Sequence, residues 1–334
     1  MNIISLFSGS GGLDLGFEQA GYTPIVAYDN EPAAIDTYNT NRQENVAVLA
    51  DISKLTAEEI YEMVCRRVEY SRDAIVGVVG GPPCQYFSNG NRSTRRDDDP
   101  RRLLPISYAK ILKDLNKFFD IKFFAFENVE GLTQRAHKTD FEAIVELFKD
   151  ADFHVFHEVL DAYDFNTPQH RERVFLVGLN KQIYPNADFV FPIGKPSCLT
   201  VRDAIEGLFE PVFFEKNLDN NSFPEHPNHW TMQPKSPKFN TVKPDDIREF
   251  TRSFRRLSWD KPSYTVAYGH NEIHIHPNEH RRLSIYEAML LQGFPKTYRL
   301  CGNLSEQVSL VSDAVPPPLA KSLAESINQF IAKR

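Results

Sequence analysis

The first half of the chain alternates short apolar runs with stretches of helical period. Ile3–Phe7, Pro24–Asp29, Val46–Asp51, Ala74–Gly81 and Phe123–Val129 are rich in Val, Ile, Ala and Phe and read as buried strands. Between the first two, Leu13, Phe17 and Ala20 share one helical face, and Gly21 stops that helix. Strand, helix, strand in repetition predicts an α/β fold whose mostly parallel sheet is covered on both faces. Two further strands are expected at His154–Ala162 and Val174–Leu179.

Beyond Leu179 the periodicity is lost, and the chain is irregular and rich in Pro, Asn, His and aromatic residues as far as Glu279. Helical signals return from Arg281. Ser284 is placed to cap a helix running through Gln292, Gly293 and Pro295 end it, and Pro316–Pro318 precede an amphipathic helix over Leu319–Ile331. These changes divide the chain into a first α/β part (1–179), a smaller loop-rich part (180–279) and a C-terminal segment (280–334) that packs back on the first.

Composition narrows the classes. With 41% hydrophobic and 25% charged residues over 334 positions, the chain can bury a full core, and nothing marks a disordered arm. The N-terminal Met1-Asn2-Ile3-Ile4-Ser5 has no basic region or cleavage pattern, and no apolar stretch approaches the roughly 18–20 residues of a membrane span, so a cytoplasmic protein is expected. Cys65, Cys84, Cys198 and Cys301 are too scattered for a metal knuckle or a disulfide scaffold. The net charge of −7 argues against indiscriminate nucleic-acid binding, so any DNA site must be a local basic face.

Four constellations carry candidate chemistry. Phe7-Ser8-Gly9-Ser10-Gly11-Gly12 follows a strand and opens a helix, where bare backbone N–H groups can approach a ligand. Asp14 stands where a dinucleotide fingerprint needs glycine, which disfavours a nicotinamide oxidoreductase and leaves a nucleoside reading. Asp29, ending the second strand, is placed for ribose hydroxyls, and Asp51, ending the third, for an adenine. Second, Gly80-Gly81-Pro82-Pro83-Cys84-Gln85 puts a cysteine in a rigid turn at the carboxyl edge of the sheet, before a polar, Arg-rich stretch through Arg102. A nucleophile fits that place better than a buried apolar thiol does.

The third constellation is the apolar strand Phe123-Phe124-Ala125-Phe126-Glu127-Asn128-Val129, whose terminal carboxylate burial would raise toward neutrality. The fourth is Gln169-His170-Arg171-Glu172-Arg173, in which alternation puts Gln169, Arg171 and Arg173 on one face, opposite His170 and Glu172. Taken singly, each has a bland alternative: a tight turn, a helix cap, an ion pair or a solvated strand end.

In this order the blocks resemble the DNA (cytosine-5) methyltransferase family of the bacterial restriction-modification type, over nearly the whole chain outside Asn180–Glu279. The family's Phe-x-Gly-x-Gly-Gly is matched by Phe7 to Gly12, its Pro-Cys-Gln by Pro83-Cys84-Gln85, Glu-Asn-Val by Glu127 to Val129, and Gln-x-Arg-x-Arg by Gln169, Arg171 and Arg173. Arg281-Arg282-Leu283-Ser284 with Gln292-Gly293-Phe294-Pro295 resembles the block that supports the target-recognition domain. The resemblance implies a Rossmann-like S-adenosylmethionine-dependent fold and a smaller target-recognition domain in 180–279. It also implies methyl transfer from S-adenosylmethionine to carbon 5 of a cytosine flipped out of double-stranded DNA.

By the same resemblance, Cys84 is the nucleophile, Glu127 binds N3 and the exocyclic amine, and Arg173 with Arg171 holds the O2 side. The cofactor falls to Phe7, Ser8, Gly9, Gly11, Gly12, Leu13, Asp29, Asn30, Asp51, Ile52, Pro82 and Asp313. Two departures stand out: Asp29-Asn30 where the family has a glutamate and a bulky residue, and Asp313 where it has an asparagine. DNA contacts are expected from Gln85, Ser88 and Arg92 in a closing loop, and from Arg255, Arg256, Thr265, Tyr268, His270 and Asn271. The loosely spaced series Lys235, Lys238, Lys243, Arg248, Arg252, Arg255 and Arg256 supplies the local basic face. A monomer that shares its target with a restriction endonuclease is expected. An RNA cytosine methyltransferase and a catalytically silent DNA-binding module are the competing readings.

Overall fold

The computed structural model describes residues 1–83, 103–215, 223, 225–234, 237–240, 254–265 and 274–333. Its elements run β1 (Asn2–Leu6), α1 (Gly12–Gln19), β2 (Thr23–Asp29), α2 (Pro32–Thr40), β3 (Ala47–Leu49), α3 (Ala57–Cys65), β4 (Gly77–Gly80), α4 (Leu104–Leu115), β5 (Phe123–Val129), α5 (Lys138–Asp150), β6 (Phe153–Asp161) and β7 (Glu172–Asn180). After them come α6 (Val201–Ile205), β8 (Val212–Phe213), β9 (Trp230–Thr231), α7 (Pro237–Asn240), β10 (Arg255–Arg256), β11 (His274–Ile275), α8 (Ile285–Leu291), α9 (Leu304–Asp313) and α10 (Pro317–Ala332).

Strands β1 to β7 form one seven-stranded sheet in the order β3-β2-β1-β4-β5-β7-β6, with β7 antiparallel to both of its neighbours and the other pairings parallel. The alternation of side chains sorts the core into two layers. Ile4, Leu6, Val78, Phe124 and Phe126 point to one face, where α3, α4 and α5 cover them with Ile60, Val64, Tyr108, Leu112, Ile144 and Phe148. Their neighbours Ile3, Val79, Phe123 and Ala125 point to the other, against Phe17 of α1 and Leu319, Leu323 and Ile327 of α10.

Two expected strands are shorter than their apolar runs. β3 pairs only with β2, as an edge strand, and ends at Leu49 because Asp51 turns back to accept from the Ser53 N–H and hydroxyl. Residues 74–76 still bond to Asn2 through the Ala74 carbonyl and the Val76 N–H, but the ladder with β1 begins only at Gly77.

The C-terminal segment returns to the first part as expected. Ser284 caps α8 with a reciprocal Ser284–Glu287 box, and α10 lies on α1. That contact is close because Gly16 has no side chain: a Cβ there would sit 2.4 Å from the Ala320 Cβ and 2.6 Å from the Lys321 nitrogen. No helix among the described residues is long and apolar enough to cross a membrane.

Between 180 and 279 the described pieces are short, as the loss of periodicity predicts. Their anchors are polar. Asn228 donates to the Leu300 carbonyl and to Gln307 Oε1, which Trp230 Nε1 also meets, and His229 Nδ1 lies 2.8 Å from Ser284 Oγ. Residues nearer the sheet pack on α10, with Tyr184 and Phe189 against the Phe330 ring.

Arg256, one of the expected DNA contacts, is buried, and its Nη1 donates to the carbonyls of His276, Pro277 and Glu279 at 2.8, 3.1 and 3.1 Å, so it ties β10 to the turn after β11. Arg255 is half-buried over the Tyr264 ring.

Gly16→Ala should force α1 and α10 apart and cost about 1–3 kcal/mol, read as a lower melting temperature. Arg256→Ala should destabilise the fold by about 2 kcal/mol, the scale of losing hydrogen bonds to a buried charged donor. A variant with wild-type melting but weakened DNA affinity would instead return Arg256 to the DNA face.

Candidate active site

Strand order reverses between β1 and β4: β1 leads through α1 to β2 on one side, whereas β4 lies on the other. Open α/β sheets bind ligands in the crevice beyond the carboxyl ends of such a pair. Both motifs that follow these strands open there, Phe7–Gly12 after β1 and Gly81–Pro83 after β4.

The first loop is built around backbone that side chains disfavour. Phe7 has φ 55°, an uncommon state for an aromatic residue, and Gly9 has φ 51° with nothing within 4 Å of the position its Cβ would take. Gly12 is bare for another reason, since a Cβ there would lie 2.3 Å from the Val315 carbonyl. Gly11 is backed by the Tyr298 hydroxyl and the Tyr38 ring, and the Tyr298 hydroxyl donates to the Ser10 carbonyl.

The loop also holds polar groups that await a partner. The Ser8 and Ser10 hydroxyls are buried without a hydrogen-bond partner. Asp29, at the end of β2, accepts from the Gly9 N–H at 2.8 Å and the Glu31 N–H at 3.0 Å. Burial pushes its carboxyl pKa up, while those N–H groups pull it down. A desolvated carboxylate with spare lone pairs beside open space suits the ribose hydroxyls of a nucleoside cofactor.

The remaining cofactor candidates divide. Leu13 and Ile52 give their side chains to the two core layers, so only their backbone is available to a ligand. Asn30 is exposed beside Asp29. Asp51 is exposed too, and its ion pair with Lys54 at 2.8 Å, followed by the Ser53 hydroxyl, lowers its pKa to about 2. An adenine contact would have to displace those partners.

The second cluster joins β5, β7 and the turn after β4. Because β7 runs antiparallel, Arg173 at its start lies opposite Val129 at the end of β5, and its Nε pairs with Glu127 Oε1 at 2.9 Å. Gly81 presses on this carboxylate, with 2.5 Å between its would-be Cβ and Glu127 Oε2, and the Pro82 carbonyl accepts from Asn128 Nδ2 at 3.4 Å. Gly81 and Pro82 are thereby set against Glu127 and Asn128. Burial is the largest influence on the Glu127 carboxyl and raises its pKa against the opposing pull of Arg173 and Arg171.

Alternation in Gln169–Arg173 is as expected. Gln169 and Arg171 are fully buried, whereas His170 and Glu172 are exposed. Arg171 Nη2 donates to the Ser312 carbonyl, next to Asp313. On the exposed side, Asp161, His170, Glu172, Tyr264 and Thr265 line an open cleft of about 430 Å³.

Several contacts had no signal in the sequence. Gln169 bridges to Ser263, the His170 N–H bonds the Ser263 carbonyl, and Thr265 Oγ1 donates to the His170 carbonyl at 2.8 Å. Asp161 also brackets the motif, with one oxygen on the Arg171 N–H and the other 2.7 Å from His170 Nδ1. Cys84, Gln85, Ser88, Arg92, Tyr268, His270 and Asn271 lie outside the described residues.

A profile of C-5 cytosine-specific DNA methylases matches residues 1–329. The chain is 31% identical to the Type II methyltransferase M.FnuDI of Fusobacterium nucleatum, covering 100% of this chain and 96% of that protein. It is 33% identical to M.MthTI of Methanothermobacter thermautotrophicus, over 98% of this chain and 97% of the relative. Among solved structures, a prophage-encoded E. coli chain superposes with a TM-score of 0.77 at 23% identity, over 99% of both chains, a likeness of fold. The chain thus belongs to the C-5 cytosine-specific DNA methylases, the family that transfers the methyl group of S-adenosylmethionine to carbon 5 of cytosine in DNA.

Proposed function

We propose that this chain methylates one cytosine within a specific double-stranded DNA sequence through a covalent Cys84 adduct. The observation that carries this reading is the packing of Gly81 and Pro82, just before Pro83 and Cys84, against Glu127 and Asn128, with Arg173 paired to the same carboxylate. Carbon 5 of an aromatic cytosine is a poor nucleophile. Addition of the Cys84 thiolate at carbon 6 breaks the 5,6 double bond and pushes its electron pair toward N3. Glu127, whose raised pKa keeps it protonated over a wider range, donates a proton to N3 and so leaves a reactive enamine. Arg173 holds the O2 side.

The Phe7–Gly12 loop and Asp29 would hold S-adenosylmethionine, which when bound would supply an electrophilic methyl group to carbon 5 and leave as S-adenosylhomocysteine. Loss of the carbon 5 proton to a base then expels the Cys84 thiolate, and return of the N3 proton to Glu127 restores the ring. The base is out of reach inside a duplex, so it must be flipped, with Gln85, Ser88 and Arg92 on the loop that closes over it.

Sequence reading is assigned to the target-recognition domain, 180–279, between a catalytic domain (1–179) and a C-terminal segment (280–334). Arg255, half-buried beside Tyr264, and Thr265, which lines the open cleft, support that assignment, and Tyr268, His270 and Asn271 extend it. The Type II relatives support a cytoplasmic restriction-modification role, with a monomer protecting the site that a cognate endonuclease cuts. DNA is preferred over RNA because the matching family acts on DNA.

DNA carrying 5-fluorocytosine at the target should trap a stable adduct in the presence of S-adenosylmethionine, because fluorine cannot leave as a proton does. Cys84→Ser should abolish both adduct and turnover; a fully active variant would falsify the mechanism. Asp29→Ala should weaken S-adenosylmethionine binding by about 0.5–1.5 kcal/mol per lost ribose hydrogen bond, with DNA affinity unchanged. Isothermal titration reads this, and an unaltered cofactor affinity would remove Asp29 from the cofactor site.

A further inference from the structure

Asp14 stands where a dinucleotide fingerprint has its third glycine, and from there it reaches α2. It lies buried in the first turn of α1 and accepts a hydrogen bond from the Tyr38 hydroxyl at 2.9 Å. One turn further along α1, the Glu18 carboxylate accepts from Arg42 Nε and Nη2 at 2.8 Å each. Asp14 and Glu18 are four positions apart, as are Tyr38 and Arg42. Two carboxylates on one face of the helix that the glycine loop opens thus grip two side chains at and just beyond the end of α2. The Arg42 guanidinium also lies 3.5 Å from the centre of the Tyr38 ring, and its Nη1 donates to the Tyr38 carbonyl at 3.1 Å.

The gripped side chains form the wall behind Gly11. A Cβ there would lie 3.0 Å from Tyr38 Cδ2 and 3.1 Å from Arg42 Nη1, with the Tyr298 hydroxyl at 2.9 Å. The same loop is open at Gly9, which has nothing within 4 Å of the place of its Cβ, and the buried Ser8 and Ser10 hydroxyls have no hydrogen-bond partner.

We propose that Asp14 and Tyr38 are positioning residues for S-adenosylmethionine: the hydrogen bond between them fixes the Tyr38 ring, and with it Gly11, in the place from which the loop receives the cofactor. The proposal rests on the assignment of the Phe7–Gly12 loop to that cofactor.

Stability alone does not account for the pair. Asp14 Oδ2 is buried without a hydrogen-bond partner, a cost that an apolar side chain would not incur. Burial raises the Asp14 pKa to about 6 against the pull of Arg42, so near neutral pH it is a charged acceptor. Burial and that charge keep the Tyr38 hydroxyl protonated, which sets it as the donor. A ring anchored through its hydroxyl resists tilting, whereas one held by packing alone yields, and cofactor binding would then have to reorder the loop.

The test is isothermal titration of the full-length enzyme with S-adenosylmethionine, beside the melting temperature of each variant without ligand. Tyr38→Phe and Asp14→Ala should each weaken binding about tenfold, the scale of one hydrogen bond to a buried charged acceptor. The double variant should bind no more weakly than either single one, because the same bond is lost in all three. Asp14→Asn keeps an acceptor for the hydroxyl and should stay within about threefold of wild type. Unchanged affinity in Tyr38→Phe overturns the proposal even if its melting temperature falls, since the pair is then a fold contact only. Losses that add in the double variant overturn it too, as does an Asp14→Asn variant no better than Asp14→Ala. If Asp14→Ala does not fold, Tyr38→Phe and Asp14→Asn decide the matter. Asp29→Ala separates the two assignments: if it weakens binding while Tyr38→Phe does not, only this proposal falls, whereas unchanged affinity in both removes the loop from the cofactor site.

Discussion

The site depends on the reversal of one strand. Had β7 run parallel to β5, its first residues would lie at the amino edge of the sheet, far from Glu127. Because it runs antiparallel, with Val129 opposite Arg173, the start of one strand meets the end of another and the ion pair forms across them. Removing one partner from a buried pair typically costs about 3–5 kcal/mol, so topology and electrostatics reinforce each other here. The turn after β4 then has a charged, rigid floor against which Gly81 and Pro82 are set.

Much of this frame is legible in the chain. Continuous apolar runs in Ile3–Phe7 and Phe123–Val129 mark strands buried on both faces, and the structure assigns neighbouring residues such as Phe123 and Phe124 to opposite core layers. The Ser284 cap and the return of the C-terminus are written in local residue chemistry. Local chemistry cannot report which distant polar group a side chain will meet. Arg256 sits in a basic series and looks solvated, yet three carbonyls brought in from beyond β11 claim its Nη1. Asp51 ends an apolar run as Asp29 does, but only Asp29 is buried, since β3 is an edge and β2 is not.

The segment between the sheet and the C-terminal helices illustrates the same boundary. Its lack of periodicity correctly announces short elements, but periodicity says nothing of how they are fastened. Ser263 and Thr265 join Pro168–His170 by backbone and side-chain bonds, so a stretch expected to read DNA is continuous with the strand that carries Arg171 and Arg173. A displacement of this stretch would therefore act on Arg171 and Arg173 through covalently short, hydrogen-bonded steps.

The seat of the glycine loop has a consequence for biosynthesis. Its rear wall is the Tyr298 hydroxyl on the Ser10 carbonyl, 288 positions along the chain, together with the Val315 carbonyl against Gly12. A ribosome emits Ser10 long before Tyr298. Until the late residues emerge, the nascent chain can assemble strands of the sheet but holds the glycine loop without its backing. Contacts of such long range are closed late and slowly. The backing of the glycine loop is thus acquired late in synthesis, and a chain interrupted before Tyr298 would carry that loop left open at the back.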